Sequence, residues 1–425
     1  MKNLPAIIRL FAANTISGCA QGISMLAIPW YFADILQDAA LFGQIYTGVT
    51  VISLFWGLYA GVLVDQFNRK NIFIAETFLG GILLLGVVAY TWNMPQVPIP
   101  LVAMIFASTF FGYNIHYPAL YAFAQEITEQ KDYTRITSYL EIQGQITNMA
   151  AGAVGALLLS GIEGGFVGVG RFGITLPTIE PWRLQEVFLL DGCTYLLSFL
   201  IILPMKYESI AERYREKMNI PARFKIGLDF LKNNPYVFIF GATAHFLFAT
   251  VMVINFVLMP SFTSNDLGGE ALVYTIGESC FALGAAFAGL LITQTLKRFT
   301  NVGVIIGLFV IATTVYLMMM FNRNIAIFYL LMLALGWCNA GVRIMRITYL
   351  FRTVENQIIG RVGSVFQSLN VMMRATLIYV AAAPFFLAQI HFAFLLMGVI
   401  SFAAVVILGI FYGKIVALDG KHLGR

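Results

Sequence analysis

The chain has 425 residues, 59% of them hydrophobic and 11% charged. Soluble chains of this length carry about a quarter charged residues, so there is too little polar surface here to cover a water-exposed globule, and a soluble enzyme or nucleic-acid-binding protein is excluded. The net charge of +5 has a topological cause rather than a polyanionic partner.

In chain order, apolar stretches recur that are each long enough to cross ~30 Å of hydrocarbon as a helix. MKNLPAIIRL runs straight into the first, 6–32, with no small-residue cleavage site, which predicts an uncleaved span. The next five cover 41–64, 72–92, 99–122, 136–160 and 184–204. The second six cover 236–260, 270–296, 302–321, 325–351, 362–388 and 392–415. The expected fold is all-α: a polytopic membrane protein with twelve transmembrane helices. Its domains are a six-helix bundle over 1–205, a cytoplasmic central loop over 206–235 and a second six-helix bundle over 236–425.

Basic residues set the orientation. With the N-terminus inside, the inner loops and tails hold Lys2, Arg69, Lys70, Lys131, Arg135, Lys297, Arg298, Arg352, Arg361 and Lys414, besides the bases of the central loop. The outer loops hold Arg171, Arg183 and Arg323. This asymmetry puts both termini in the cytoplasm, in a cytoplasmic (inner) membrane.

Two connections are long. In the central loop, KYESIAERYREKM reads as a solvated helix, and IPARFKIGLDFLKNN, with Phe224, Leu228 and Leu231 at helical spacing, as a helix on the lipid surface. The outer connection, 161–183, contains GVGRFG. It matches G-x-G-x-x-G but follows a membrane span instead of a soluble strand, so a turn or short hairpin is expected. Cys19, Cys193, Cys280 and Cys338 fall inside spans without metal-ligand spacing and read as packing residues. No metal or cofactor is expected.

The chain repeats itself. GVLVDQFNRK (61–70) recurs 228 residues later as GLLITQTLKR (289–298), with Gly61 on Gly289, Arg69 and Lys70 on Lys297 and Arg298, and Asp65 on Thr293. TEQKDYTRITS (128–138) falls on VENQIIGRVGS (354–364) at nearly the same offset, with Arg135 on Arg361. Two matches at one period point to a duplicated six-helix unit whose halves share one orientation.

The pattern G-x-x-x-D-x-x-x-R-K between the second and third spans resembles the signature loop of the major facilitator superfamily, and the resemblance covers the whole chain. NTISGCAQGISMLAIPWY in the first span, FLLDGCTYLLSFLIILP in the sixth and the E-x-x-x-x-x-R loops resemble its macrolide-efflux and siderophore-exporter branch. The resemblance implies two bundles related by a pseudo-twofold along the membrane normal. Spans 1, 2, 4, 5, 7, 8, 10 and 11 would surround a central cavity, with spans 3, 6, 9 and 12 outside. It implies a gate at the cytoplasmic side built from Gly61, Asp65, Arg69, Lys70, Arg135 and Arg361. There Asp65 would reach the start of the eleventh span near Val362 and Ser364, or pair with Arg69. Three features depart from the pattern: Asn68 stands where the loop often has glycine, Gln21 where related exporters often carry an acid, and 150–158 lacks a proline. A left-handed Asn68 would keep the turn.

Ionisable groups inside spans cost about 2.5–3.5 kcal/mol on insertion scales and need a reason. Arg374, in the eleventh span, is the leading candidate to face an anionic substrate, or to pair with Glu278 of the eighth. Arg343 and Arg346 share a face of the tenth. His116 and Glu141 could meet as a proton-responsive pair. His245, Asn255, Asn14, Gln21, Gln145 and Asn148 could offer substrate hydrogen bonds or bind helices together. Glu76 and Asp191 fall in outer spans and are set aside, Asp191 for packing.

The expected function is secondary transport by alternating access of a small amphipathic, anionic organic solute, as an exporter coupled to protons, by a monomer. The alternatives on the same fold are an importer of a siderophore or other carboxylate- or phosphate-bearing nutrient, or a lysophospholipid flippase. No converging His, Asp or Ser set and no nucleotide loop supports an enzyme, and no nucleic-acid partner is expected.

Overall fold

The structure, a computed structural model, describes residues 3–128, 133–161, 165–169, 172–176, 178, 180–208, 220–295, 299–354 and 358–420. The first half runs α1 (Leu4–Trp30), α2 (Ala39–Gln66), α3 (Arg69–Thr91), α4 (Ile99–Glu126), α5 (Tyr133–Ser160) and α6 (Leu184–Ile202). After α7 (Ile220–Asn233), the second half runs α8 (Pro235–Val253), α9 (Met259–Ser261), α10 (Ala271–Thr295), α11 (Asn301–Phe321), α12 (Ile325–Thr353), α13 (Ile359–Ala381), α14 (Pro384–Ala388), α15 (Ile390–Ile410) and α16 (Tyr412–Gly420). Each predicted span coincides with a long helix. Among the described residues ten are long and apolar enough to cross a membrane. The other two long helices, α5 and α13, have lower hydropathy because they carry Gln143, Gln145 and Asn148, and Asn370 and Arg374. The glycine-rich outer connection forms a hairpin of β1 (Gly165–Val169) and β2 (Phe172–Leu176), with Val169 opposite Phe172.

Two local features recur in the halves. Pro29 lies two residues before a π-helical stretch, Tyr31–Ile35, and Pro260 two residues before another, Phe262–Asp266. Proline has no N–H and crowds the carbonyl four residues back, and a wide turn relieves the mismatch. The second feature is the cap that opens each half's third span. Asn68 Oδ1 accepts from the amides of Lys70 and Asn71, and Thr300 Oγ1 accepts from that of Gly303. Asn68 does not adopt the left-handed backbone expected of it. Its φ is −65°, because a capping side chain satisfies the free amides of α3 from an extended backbone.

The chain forms two compact units, Met1–Gln37 with Phe55–Glu216 and Gly269–Ser279, and Asp38–Leu54 with Lys217–Gly268 and Cys280–Arg425. Both α2 and α10 therefore change unit partway along. In the first unit α1 has two working faces. Gly18 and Gly22 lie against Thr147 and Ala151 of α5, so close that a Cβ on Gly22 would stand 2.6 Å from that of Ala151. Small residues four apart permit this approach. The opposite face of α1 meets α6 through polar groups: Ser24 Oγ donates to Asp191 Oδ2 at 2.7 Å, Gln21 Nε2 to Tyr195 Oη at 2.8 Å, and Ser198 Oγ to the Ala13 carbonyl at 2.9 Å. The start of α10 joins this unit, with Tyr274 stacked on Trp30 at 5.8 Å.

In the second unit α11 packs between α12 and α15, and α13 against α8 and α7. The first stretch of α2 belongs here, with Tyr46 edge-on to Phe256 at 5.4 Å. One side of α7 meets protein. Leu231 is buried, and a Cβ at Gly227 would collide with the carbonyl of Arg361, so α7 lies directly on the first turn of α13.

Candidate functional site

The charged turn folds back on its own unit. Arg69 Nη1 pairs with Glu126 Oε2 at the end of α4, and Glu126 is buried. Asn68 Nδ2 donates to Tyr207 Oη at 3.2 Å, and Tyr207 Oη donates to Glu126 Oε1 at 3.3 Å. Lys70 Nζ donates to the Leu203 carbonyl at 2.9 Å. Among the described residues the carboxylate held by Arg69 is Glu126, since Arg69 opens α3 and Glu126 closes the α4 that packs on it. Asp65, Arg135 and Glu141 stand on α2 and α5 with side chains outside the described residues, as are the surroundings of Gly61. The latch expected of Asp65 therefore falls outside them too. Arg361 lies half-buried in the first turn of α13.

A polar chain crosses the interior of the first unit. His116 Nδ1 lies 3.2 Å from Glu76 Oε2, and Nε2 lies 2.8 Å from Asn14 Oδ1. Both ring nitrogens therefore face oxygens, and His116 joins α3 and α1, while the expected meeting with Glu141 lies outside the described residues. Glu76, set aside as an outer-span residue, is part of this chain. Its sequence signal was plain, an acid inside a span, but placing the third span outside hid it. Asp191, expected in packing, meets Ser24, and Tyr195, which no sequence signal singled out, meets Gln21. Gln21, a candidate substrate group, commits Nε2 to Tyr195 Oη.

Beside Glu76 lies a cavity of about 680 Å³ within the first unit, with walls from α2, α3, α4 and α6 that include Trp56, Leu79, Leu84, Phe111 and Tyr195. It is predominantly apolar, and Glu76 opens onto it.

In the second unit the candidates separate by exposure. Arg374 is buried on α13, Arg346 half-buried and Arg343 exposed on α12. Arg346 lies within electrostatic reach of His245. His245 is buried, donates from Nδ1 to the Gly241 carbonyl at 2.6 Å and stacks on Phe366 at 5.7 Å. One ring nitrogen is thus committed within its own helix. Asn255 is buried in a π-helical turn, Gln145 is half-buried and Asn148 exposed on α5. Glu278, one turn from Tyr274, stands on the part of α10 that belongs to the first unit.

Helices of this length, two units and membrane-buried charges define a multi-pass membrane protein of the transporter class. The model of the Major Facilitator Superfamily matches residues 10–375, and the chain belongs to that superfamily. No curated protein matches by sequence. Among solved structures, a mutant of the nucleoside transporter NupG is similar at 14% identity and a TM-score of 0.73, covering 96% of this chain and 100% of that one. A bacterial homologue of the human lysosomal transporter Spinster is similar at 13% identity and a TM-score of 0.68, over 99% and 97%. A D-xylose-proton symporter is similar at 11% identity and a TM-score of 0.69, over 95% and 97%. At these identities the likeness is one of fold.

Proposed function

We propose that this chain is a secondary active transporter that moves a small amphipathic, anionic organic solute across the cytoplasmic membrane by alternating access. In this reading it exports a drug- or siderophore-type molecule, is coupled to protons and keeps both termini in the cytoplasm. The observation that carries the anionic substrate is the charge of the second unit's spans. Arg343, Arg346 and Arg374 stand on α12 and α13, and neither these helices nor α8, α11 and α15 contain an Asp or Glu. Asp266, at the outer end of the seventh span, is held by Arg323 at 3.3 Å. The three arginines, on helices that carry no acid, give these spans the charge that an anionic solute complements.

The Glu76–His116 pair supports proton coupling, because a proton can enter or leave it beside fixed partners. The distribution of Lys and Arg supports the orientation. Superfamily membership supports alternating access, with Asp65, Arg69, Lys70, Arg135 and Arg361 as gate candidates.

The test is accumulation of labelled organic anions in inside-out vesicles at two pH values. Arg374→Ala is expected to lower accumulation at least tenfold, Arg323→Ala to leave it near the unchanged level, and a protonophore to abolish it. Unchanged anion transport by Arg374→Ala would sink the substrate assignment, and indifference to the protonophore would sink the coupling.

A further inference from the structure

The cavity in the first unit is not the place of the anion in the transport just proposed, though it shares Glu76 with the coupling pair, and it has the makings of a binding site. Its volume, about 680 Å³, suits one small ligand. Its walls are apolar and aromatic, with the ring of Trp56 held by a hydrogen bond from Nε1 to the Phe111 carbonyl at 2.9 Å. Leu79 and Phe67 on its lining are 64% and 54% exposed. In a bilayer such residues meet hydrocarbon, so a lipophilic molecule can reach the cavity from the membrane.

The polar end of the cavity is specific in sign. Glu76 lies seven residues into α3, about 10 Å from the helix start. One of its oxygens faces His116. The other, Oε1, lies over Gly112, where an added Cβ would stand 3.4 Å away, so the missing side chain leaves this oxygen approachable. Neither Lys nor Arg is among the described residues that line the cavity. A carboxylate in an apolar chamber favours a cation, and aromatic faces favour it further. An anion would meet the Glu76 carboxylate, whose neighbouring base, His116, is turned to its other oxygen.

We infer that this cavity binds a single-chain lipophilic amine, its ammonium against Glu76 Oε1 and its apolar body between α2, α3 and α4. His116 positions the carboxylate by holding its other oxygen. The site lies inside one unit and its occupancy is read without transport, so it stands or falls separately from the anionic substrate of the second unit.

The test uses the full chain in phosphatidylcholine nanodiscs and three photoreactive probes with the same twelve-carbon, diazirine-bearing chain, ending in an amine, an alcohol or a carboxylate. Crosslinked peptides are mapped by mass spectrometry. The amine is expected to label the walls at 54–84 and 105–115 at least tenfold more than the carboxylate, and more than the alcohol. Glu76→Gln should erase the excess of amine over alcohol. Ala75→Trp, which adds bulk at the cavity lining and keeps the acid, should lower labelling by all three. Equal labelling by the three probes, which is the behaviour of a plain lipid groove, overturns the inference. An amine excess that persists in Glu76→Gln, or labelling untouched by Ala75→Trp, overturns it as well. Should Glu76→Gln fail to fold, the three-probe comparison in the unchanged chain and Ala75→Trp still decide.

Discussion

Glu126 illustrates how one buried acid organises the end of a bundle. It takes the guanidinium of Arg69 on one oxygen and the hydroxyl of Tyr207 on the other, and Tyr207 in turn meets the Asn68 that caps α3. Removing the carboxylate leaves a partly buried cation and a hydroxyl to find new partners. Glu126→Ala is expected to cost about 1–3 kcal/mol, read as a lower unfolding midpoint in detergent, with Glu126→Gln losing less because it still accepts from Tyr207. A midpoint unchanged in Glu126→Ala would mean that the pair contributes nothing net, as exposed pairs often do. Nothing in the local sequence marks Glu126 over its neighbour Glu129. Both are acids near the end of a span, and only the fold shows that Glu126 meets Arg69.

At the scale of elements, glycine decides how closely helices cross. A Cβ at Gly284 of α10 would collide with the Leu333 carbonyl of α12, and one at Gly336 of α12 with the Phe281 carbonyl of α10. The obstacle in both cases is backbone, which cannot rotate away. Gly284→Ala and Gly336→Ala are each expected to cost roughly 1–3 kcal/mol as the helices separate, and to lower transport. Gly86→Ala is the control: its Cβ would meet nothing within 4 Å, so the substitution should be neutral, or stabilising by up to about 1 kcal/mol. Thermal unfolding of the three variants side by side checks the contrast. The same logic orders α1, whose Gly18 and Gly22 admit α5 while Gln21 and Ser24, on another side of the helix, bond to α6. The residues of this helix were visible in its sequence, but a polar group in a span reads alike whether it faces a substrate or a neighbouring helix.

At the scale of the whole molecule, the chain is divided by packing and not at a single point. Asp38–Leu54 clusters with the second unit and Gly269–Ser279 with the first, although α2 and α10 are continuous helices. A chain cut between residues 208 and 220 should therefore yield two fragments that are each unstable alone, because each carries a helix segment whose partners lie on the other. Co-expression should restore a folded, purifiable complex. A first fragment that is fully stable by itself would count against the division.

Composition and period alone determined the membrane class, the succession of long helices, the duplicated half and the hairpin in the outer connection. These are local properties: transfer of a stretch to hydrocarbon depends on that stretch, and a repeat is a comparison of stretches. Tertiary structure alone decided that His116 meets Glu76 and Asn14, that Arg69 meets Glu126, that Gln21 bonds to Tyr195, and that α7 lies on α13. Such pairings join residues far apart in the chain, and which of many polar groups meet is fixed by the rotation and crossing of each helix against its neighbours, a property that no single segment contains.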